Sequence, residues 1–442
     1  MPLCLESSSR ELGNIMRIFI AFLLSLALAA GALADTLITN VTAITMDGKG
    51  AVANANVVVR GDRIIYVGVK MPDLASITGT IDGTGKFLTP GLAEMHGHLP
   101  SASADSEETK QILFLYLAGG VTTVRGMLGN PVQFDMRKAI SEGTLAGPTL
   151  YLAAPSLNGN SVSSVADGIA KVKRYKKQGW DLLKIHPGLT NDEYHAIAKT
   201  ARDLNLPFGG HVPADVGIVK ALAAKQTSID HMDGFLQLAG GFDEPITDAA
   251  LKTITNTYNA HPPSWIVPTQ ALFGILISGA DVNELATRQE VKYMPRGVRA
   301  SWSRRIMQIN GSARKHAHAN RQRALKALSD TGALMALGSD APQLYSVPGF
   351  SIWREIETMA EAGISAEKIL KIGTRNPGDY FADKDRFGQI AVGMRADLLL
   401  LDADPRLDAA NLTKQSGVMA AGRWYSRETL DARLAEIAVA NR

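Results

Sequence analysis

Segments of strand length, rich in valine, isoleucine and threonine, occupy both ends of the chain beyond residue 35. Asp-Gly and Gly-Asp pairs separate the first of them, as in β-turns. The segments cover 36–45, 52–60, 63–69, 388–391, 396–401 and 417–423. We therefore predict a small β-sandwich built from residues 35–90 together with 386–425, and a C-terminal helix within 426–442.

Between these ends, apolar segments of strand length alternate with amphipathic segments of helix length. The apolar segments are 92–98, 121–125, 149–153, 181–186, 207–212, 228–231, 265–269 and 334–340. The amphipathic ones include 106–118, 162–177, 191–204, 215–224 and 317–331. This alternation predicts an α/β fold in which residues 91–385 form a (β/α)8 TIM-type barrel. Residues 270–316 are then a long insert before the eighth strand, which we predict to be a lid or substrate loop.

The first 34 residues have the pattern of a targeting segment. Met16-Arg17 precede an apolar run over 18–30, and Ala32-Leu33-Ala34 follows with the A-x-A spacing of a cleavage site. We predict a signal peptide over 1–34, with 1–15 as an upstream extension and cleavage near Ala34. The apolar run is shorter than the roughly 20 residues that span a bilayer, so we expect an exported protein, periplasmic or secreted, without a stable membrane anchor.

Composition excludes some classes of partner. The chain of 442 residues has a net charge of +3, with 46% hydrophobic and 20% charged residues, as in ordinary globular proteins. Because no dense basic stripe with interleaved aromatic residues is present, we predict no nucleic-acid partner. The sole cysteine, Cys4, lies in the predicted signal peptide, which excludes a disulfide in the mature protein. The sequence is compatible with either a monomer or a homo-oligomer.

Potential metal ligands stand at the ends of the predicted barrel strands, where such folds carry their chemistry. His96 and His98 end the first strand and point to one side, because strand residues i and i+2 share a face. The fifth, sixth and eighth strands end in His211, His231 and Asp340. A single histidine at a strand end is more often structural, but this set predicts a transition-metal site.

Three further residues of the predicted strands could belong to the site. Lys184 lies in the apolar fourth strand, where a buried ammonium is costly. Reaction of the neutral amine with CO2 would make an anionic carbamate ligand; the alternative is a lysine whose amine reaches solvent. His186 shares the side of Lys184 and could contact substrate. Arg125 could bind a substrate carboxylate or form an ion pair within the fold.

Together these motifs resemble the amidohydrolase superfamily of metal-dependent hydrolases, and within it the binuclear-zinc, imidazolonepropionase-like and prolidase-like dipeptidase branch. Beside Lys184 and His211, the matching motifs are 89–92, 96–98, 120–125, 228–231, 338–340, 374–377 and 393–398. The resemblance implies two divalent metal ions, expected to be Zn2+. It places His96, His98 and Asp340 on one metal and His211 and His231 on the other, with carboxylated Lys184 bridging the two.

The resemblance also implies an activity. We expect a metal-bridging hydroxide to cleave the amide bond of a small dipeptide or N-acyl amino acid, or of an aromatic amide such as ochratoxin A. Asp340 would carry the proton to the leaving nitrogen, and His231 would help to stabilise the oxyanion. The alternatives are a lactone, cyclic-imide or phosphotriester hydrolase on the same site, or a secreted binding protein without catalysis.

Overall fold

A computed structural model describes residues 35–73 and 76–442 of the chain. The predicted signal peptide over 1–34 lies outside the described residues. In the part of the chain that is described, no helix has both the length and the apolar character needed to cross a membrane.

The described residues form strands β1 to β15 and helices α1 to α15. The strands are β1 Asp35–Ile44, β2 Ala51–Arg60, β3 Arg63–Gly68, β4 Ile77–Asp82, β5 Phe87–Pro90, β6 Leu92–Gly97, β7 Val121–Gly126, β8 Thr149–Leu152, β9 Leu183–Ile185, β10 Phe208–Gly210, β11 Ser228–Asp230, β12 Trp265–Val267, β13 Leu398–Leu401, β14 Gln415–Ala420 and β15 Arg423–Ser426. The helices are α1 Glu107–Ala118, α2 Gln133–Glu142, α3 Val165–Gln178, α4 Asn191–Asp203, α5 Gly217–Ala223, α6 Phe235–Leu238, α7 Asp248–Asn259, α8 Gln270–Ser278, α9 Val282–Ala286, α10 Arg296–Ile309, α11 Ala317–Asp330, α12 Ser351–Glu361, α13 Ala366–Gly373, α14 Arg375–Tyr380 and α15 Arg427–Ala440.

Both ends of the chain contribute to one sheet. Its order is β15-β14-β13-β5-β1-β2-β3, and β4 pairs with β1. The two ends join where β13 runs antiparallel to β5, with Leu398 opposite Pro90 and Leu401 opposite Phe87. Apolar residues from both ends pack into a common core on this sheet, which stabilises their association.

The prediction of a β domain built from both chain ends is supported by this sheet, whose eight strands are all joined by hydrogen bonds. One of its predicted strands is corrected. The segment 388–391 forms no strand; Ile390 is buried, and its backbone N–H donates to the carbonyl of Thr45. Its apolar character therefore reflects burial in the core and not strand pairing.

The middle of the chain contains two parallel sheets, β6-β7-β8 and β9-β10-β11-β12, with helices between successive strands. This confirms the predicted α/β fold. The predicted eighth strand over 334–340 is not a regular strand. Its backbone is nevertheless bonded on both sides, because Leu334 accepts a hydrogen bond from Ile266 of β12 and Leu337 accepts one from Met95 of β6.

The predicted loop over 270–316 is largely helical, since it contains α8, α9 and α10. Helix α8 begins directly after the seventh parallel strand. The buried carboxylate of Glu355, on α12, accepts hydrogen bonds from the backbone N–H groups of Gln270 and Ala271 at the start of α8. These bonds satisfy two donors that a helix N-terminus leaves unpaired. Burial raises the pKa of Glu355 to about 7.

Candidate metal centre

The first predicted ligand, His96, lies at the centre of a buried cluster. It ends β6 and is 1% exposed. Its Nε2 lies 2.9 Å from Nζ of Lys184, which projects from β9. Its Nδ1 lies 2.7 Å from a carboxylate oxygen of Asp230, although the two are not aligned for a hydrogen bond. The structure therefore places His96 and Lys184 in contact, at the ends of strands where the sequence analysis predicted a common site.

The other predicted ligands surround His96. His98 Nε2 lies 2.5 Å from Oδ1 of Asp340. The ring of His231 lies 4.5 Å from that of His96 and 4.3 Å from that of His211, measured between ring centroids. The strand ends thus gather all six side chains into one cluster.

The backbone at this cluster adopts an uncommon conformation. His231 and Thr269, which come after β11 and β12, and Asp340, at the end of the irregular segment 334–340, have φ angles of 64°, 48° and 61°. Non-glycine residues rarely occupy this left-handed region, and each such residue costs about 1–3 kcal/mol. The hydroxyl of Thr269 is 2.8 Å from Nδ1 of His231 and fixes the orientation of that ring. The surrounding fold therefore holds the backbone of these three residues in a strained conformation, of the kind that is concentrated at functional sites.

Three of these residues have the geometry of a metal site. One ligand atom from each of His96, His231 and Asp340 lies within 4.8 Å of the other two. Nε2 of His231 is buried and has no hydrogen-bond partner among the residues that the structure describes. Burial lowers the pKa of both His96 and His231 well below the usual value, which favours the neutral imidazole that binds metals. The donor set therefore fits a divalent transition-metal ion.

Lys184 is fully buried, which excludes the alternative of an amine that reaches solvent. Burial lowers the pKa of its amine to about 8, although the carboxylates of Asp230 and Asp340 oppose the shift. More neutral amine is therefore available near neutral pH than for an ordinary lysine, and the neutral form is the one that reacts with CO2.

Arg125 forms an internal ion pair, so its predicted contact with a substrate carboxylate is corrected. Its guanidinium is fully buried and pairs with both carboxylate oxygens of Asp230, at 3.1 and 3.0 Å. Its remaining donors reach the carbonyl of Met95, the hydroxyl of Ser228 and the hydroxyl of Tyr380. No donor is left for a substrate, and the role of Arg125 is to hold Asp230 beside His96.

Replacing Arg125 with methionine should therefore destabilise the protein strongly. The change leaves the carboxylate of Asp230 buried without its cation, which costs about 3–5 kcal/mol in free energy of unfolding. Urea denaturation measures this cost. The matched control is Arg433→Met, which breaks surface ion pairs with Glu436 and Glu107 and should cost less than about 1 kcal/mol. Equal losses in the two variants would contradict the structural role of Arg125.

His186 remains beside the cluster as a candidate substrate contact. Its ring stacks on that of His211 at 4.9 Å, and its Nδ1 is bonded to the hydroxyl of Ser156. Burial lowers the pKa of His186 to about 3, so the ring is neutral. It is only partly buried, which leaves it open to a ligand above the cluster.

Several supporting residues were not predicted from the sequence. Asp233 lies 2.7 Å from Nδ1 of His211. Glu94 accepts hydrogen bonds from the backbone N–H groups of His96 and Ser339, and so joins the start of the site to the residue before Asp340. In the sequence, Glu94 lies two residues before His96 and Asp233 lies two residues after His231. This short spacing from a predicted ligand could have identified both residues as candidates.

Comparison with known proteins identifies the same family that the sequence motifs resemble. Residues 87–425 match the amidohydrolase family. The imidazolonepropionase of Streptomyces coelicolor is 25% identical over 441 residues, covering 88% of this chain and 97% of that protein. A 5-methylthioadenosine/S-adenosylhomocysteine deaminase of Thermoanaerobacter pseudethanolicus is 41% identical over 400 residues, covering 84% of this chain and 86% of that protein.

Solved structures share the fold. A Xaa-Pro dipeptidase with bound methionine has a TM-score of 0.66 at 21% identity and covers 89% of this chain and 100% of its own. The A. niger ochratoxinase has a TM-score of 0.64 at 18% identity and covers 89% of this chain and 96% of its own. With the histidine-rich cluster at the strand ends, the family match over residues 87–425 establishes that the chain belongs to the amidohydrolase family of metal-dependent enzymes and is a hydrolase of carbon–nitrogen bonds.

Proposed function

We propose that this protein is an exported binuclear amidohydrolase that cleaves the amide bond of a small dipeptide or N-acyl amino acid. The observation that carries the proposal is the position of Lys184, whose buried Nζ lies 2.9 Å from Nε2 of His96 inside the histidine cluster. An unmodified ammonium would repel cations there, whereas a carbamate would bind them. The burial of Lys184 among the histidines therefore supports a metal-binding role for its carbamate.

Following the family pattern, His96, His98 and Asp340 would hold one ion, and His211 and His231 the other, with carboxylated Lys184 shared between them. The two groups are adjacent, since His231 also lies within 4.8 Å of His96 and Asp340. The donors are imidazole and carboxylate groups, which suit zinc. When bound, such ions polarise a carbonyl and lower the pKa of water toward neutrality.

Side chains of the protein would transfer the protons of the reaction. Asp340, whose side chain is 10% exposed, would accept a proton as the oxygen of water attacks the amide carbon. It would then give that proton to the amine as the carbon–nitrogen bond breaks. His231 has no N–H left to donate to the developing oxyanion, because its Nδ1 is bonded to the hydroxyl of Thr269 and its Nε2 would hold the metal, so its predicted catalytic help would be limited to holding that ion. His186 would contact the substrate from the side of His211.

We infer that the two parallel sheets and residues 334–341 close into a (β/α)8 barrel. Support comes from the pairing of Ala153 with Leu182 between the sheets, and from the bonds of Leu334 to β12 and Leu337 to β6.

The basic, apolar and A-x-A pattern of residues 16–34 supports export to a periplasm or the medium.

A substrate panel tests the activity. The zinc-loaded protein should hydrolyse N-acetyl amino acids or dipeptides at least about 100-fold faster, in kcat/KM, than lactones and phosphotriesters, a difference of about 2.7 kcal/mol in barrier. N-acetyl-phenylalanine and ochratoxin A test aromatic preference, which the likeness to ochratoxinase suggests. Imidazolonepropionate and 5-methylthioadenosine test the reactions named for the two relatives. Preferential turnover of either of these, or of a lactone, would overturn the proposed substrate class.

A further inference from the structure

Arg321, on α11, is a buried arginine beside the metal centre. Its side chain is almost fully enclosed, and burial lowers the pKa of its guanidinium to about 10. The carboxylates of Asp233 and Glu355 oppose that shift, so Arg321 is charged near neutral pH. A buried charge is costly unless the groups around it replace the lost water, so the contacts of Arg321 indicate what it stabilises.

Within the described residues, the hydrogen bonds of Arg321 go to uncharged oxygens in the segments that follow β11 and β12. Its Nη1 donates to the backbone carbonyl of His231 at 2.7 Å, and its Nη2 donates to that of Pro268 at 2.8 Å. Its Nε donates to the side-chain oxygen of Gln270 at 3.0 Å. One rigid, planar guanidinium therefore connects two neighbouring strand ends.

These two segments contain strained backbone. His231, Met232 and Thr269 have φ angles of 64°, 57° and 48°, in the region that non-glycine residues rarely occupy. Hydrogen bonds from a charged donor are stronger than those from a neutral one. The bonds from Arg321 to the carbonyls of His231 and Pro268 therefore help to hold the backbone in this conformation.

The same network determines which nitrogen of His231 is free. The Thr269 hydroxyl donates to the carbonyl of Pro268 at 2.8 Å, and its oxygen lies 2.8 Å from Nδ1 of His231. Because the hydroxyl proton points to Pro268, that oxygen accepts the Nδ1–H of the imidazole, which leaves Nε2 unprotonated. An imidazole held in this form offers Nε2 as a metal ligand.

We propose that Arg321 is a positioning residue for the ion held by His211 and His231. This inference rests on the proposed binuclear centre. Arg321 acts through the backbone of His231 and through the Pro268 carbonyl, which also receives the Thr269 hydroxyl. Without the guanidinium, His231 can leave its left-handed conformation and its ring can turn, so that this ion loses a ligand.

The test is Arg321→Lys, which keeps a buried cation but cannot reach all three oxygens with one planar group. Zinc is titrated into the chelated proteins in competition with a chromophoric chelator. We expect the unchanged protein to bind two ions, and the variant to bind one of them about 10- to 100-fold more weakly and the other normally. With cobalt in place of zinc, the visible absorption of one ion should change and that of the other should not.

Thr269→Val provides a second variant, which keeps Arg321 and removes only the hydroxyl between Pro268 and the ring of His231. It should weaken the same ion, and it keeps the inference testable if the melting temperature of Arg321→Lys shows that this protein does not fold. Normal binding of both ions by Thr269→Val would contradict the inferred orientation of His231.

The matched control is Arg395→Lys, which changes another buried arginine, one that pairs with Asp397 and donates to Thr123. It should lower the melting temperature without changing either zinc affinity. Undiminished affinity for both ions in Arg321→Lys would overturn the inference, and so would an equal loss in Arg395→Lys, because general destabilisation would then explain both. If the unchanged protein itself binds fewer than two zinc ions, the proposed binuclear centre fails, and the inference fails with it.

Discussion

Replacing Asp340 with asparagine is expected to lower kcat about 10³-fold while the bound metal is retained. Asparagine keeps the size of the side chain and one oxygen that can bind a cation, but its amide cannot accept a proton near neutral pH. The carboxylate of Asp340 lies between His98, at 2.5 Å, and His231, at 3.8 Å, and this position suits a proton carrier. Steady-state kinetics and metal analysis of the same preparation provide the two readouts.

The control for Asp340→Asn is Asp379→Asn, which breaks only an ion pair with Arg375 on α14. It should leave turnover unchanged. If Asp340→Asn keeps near-normal turnover, Asp340 does not carry the proton. If it loses metal and activity together, then Asp340 acts as a ligand, and its proposed catalytic role is unsupported by this variant.

Replacing Lys184 with alanine is expected to remove most of the bound metal and to lower turnover at least about 10³-fold, because the proposed shared ligand is lost. Alanine leaves space where the buried side chain stood. A short carboxylic acid such as propionate can enter that space and supply the missing carboxylate. We therefore expect partial recovery of both metal content and turnover when propionate is added.

The matched control is Lys199→Ala, which changes a lysine of α4 that pairs with Asp203 on the surface. It should bind metal normally, with or without propionate. Undiminished metal binding in Lys184→Ala would contradict the carbamate, and so would a loss that propionate fails to restore in protein whose melting temperature shows that it is folded.

The positions of most cluster residues could be predicted because each lies in, or just after, a short apolar strand of a parallel sheet. His211 and His231 follow β10 and β11 directly, and side chains at successive parallel strand ends meet at one edge. The irregular eighth segment could not be predicted from its apolar pattern. At Gly338 an added Cβ would lie 2.3 Å from a side-chain carbon of Val267, and this close approach depends on the assembled fold.

The role of Arg125 and the helices of the insert also depend on distant partners. Arg125 pairs with Asp230, 105 residues further along the chain, so the sequence left its two alternatives open. The start of α8 is capped by Glu355 from 85 residues away, and α8 itself is apolar without a clear polar face. Local pattern therefore predicted a loop where tertiary contacts stabilise helices.

The most direct test of a binuclear metal centre is the metal content of the protein itself. The chelated protein would be reconstituted with zinc, freed of excess ion and measured by plasma mass spectrometry alongside hydrolysis of N-acetyl-phenylalanine. We predict about two zinc ions per chain, with turnover that is lost on chelation and recovers as the ions are restored. Fewer than about one zinc ion per chain, or turnover that survives removal of the ions, would contradict a binuclear catalytic metal centre.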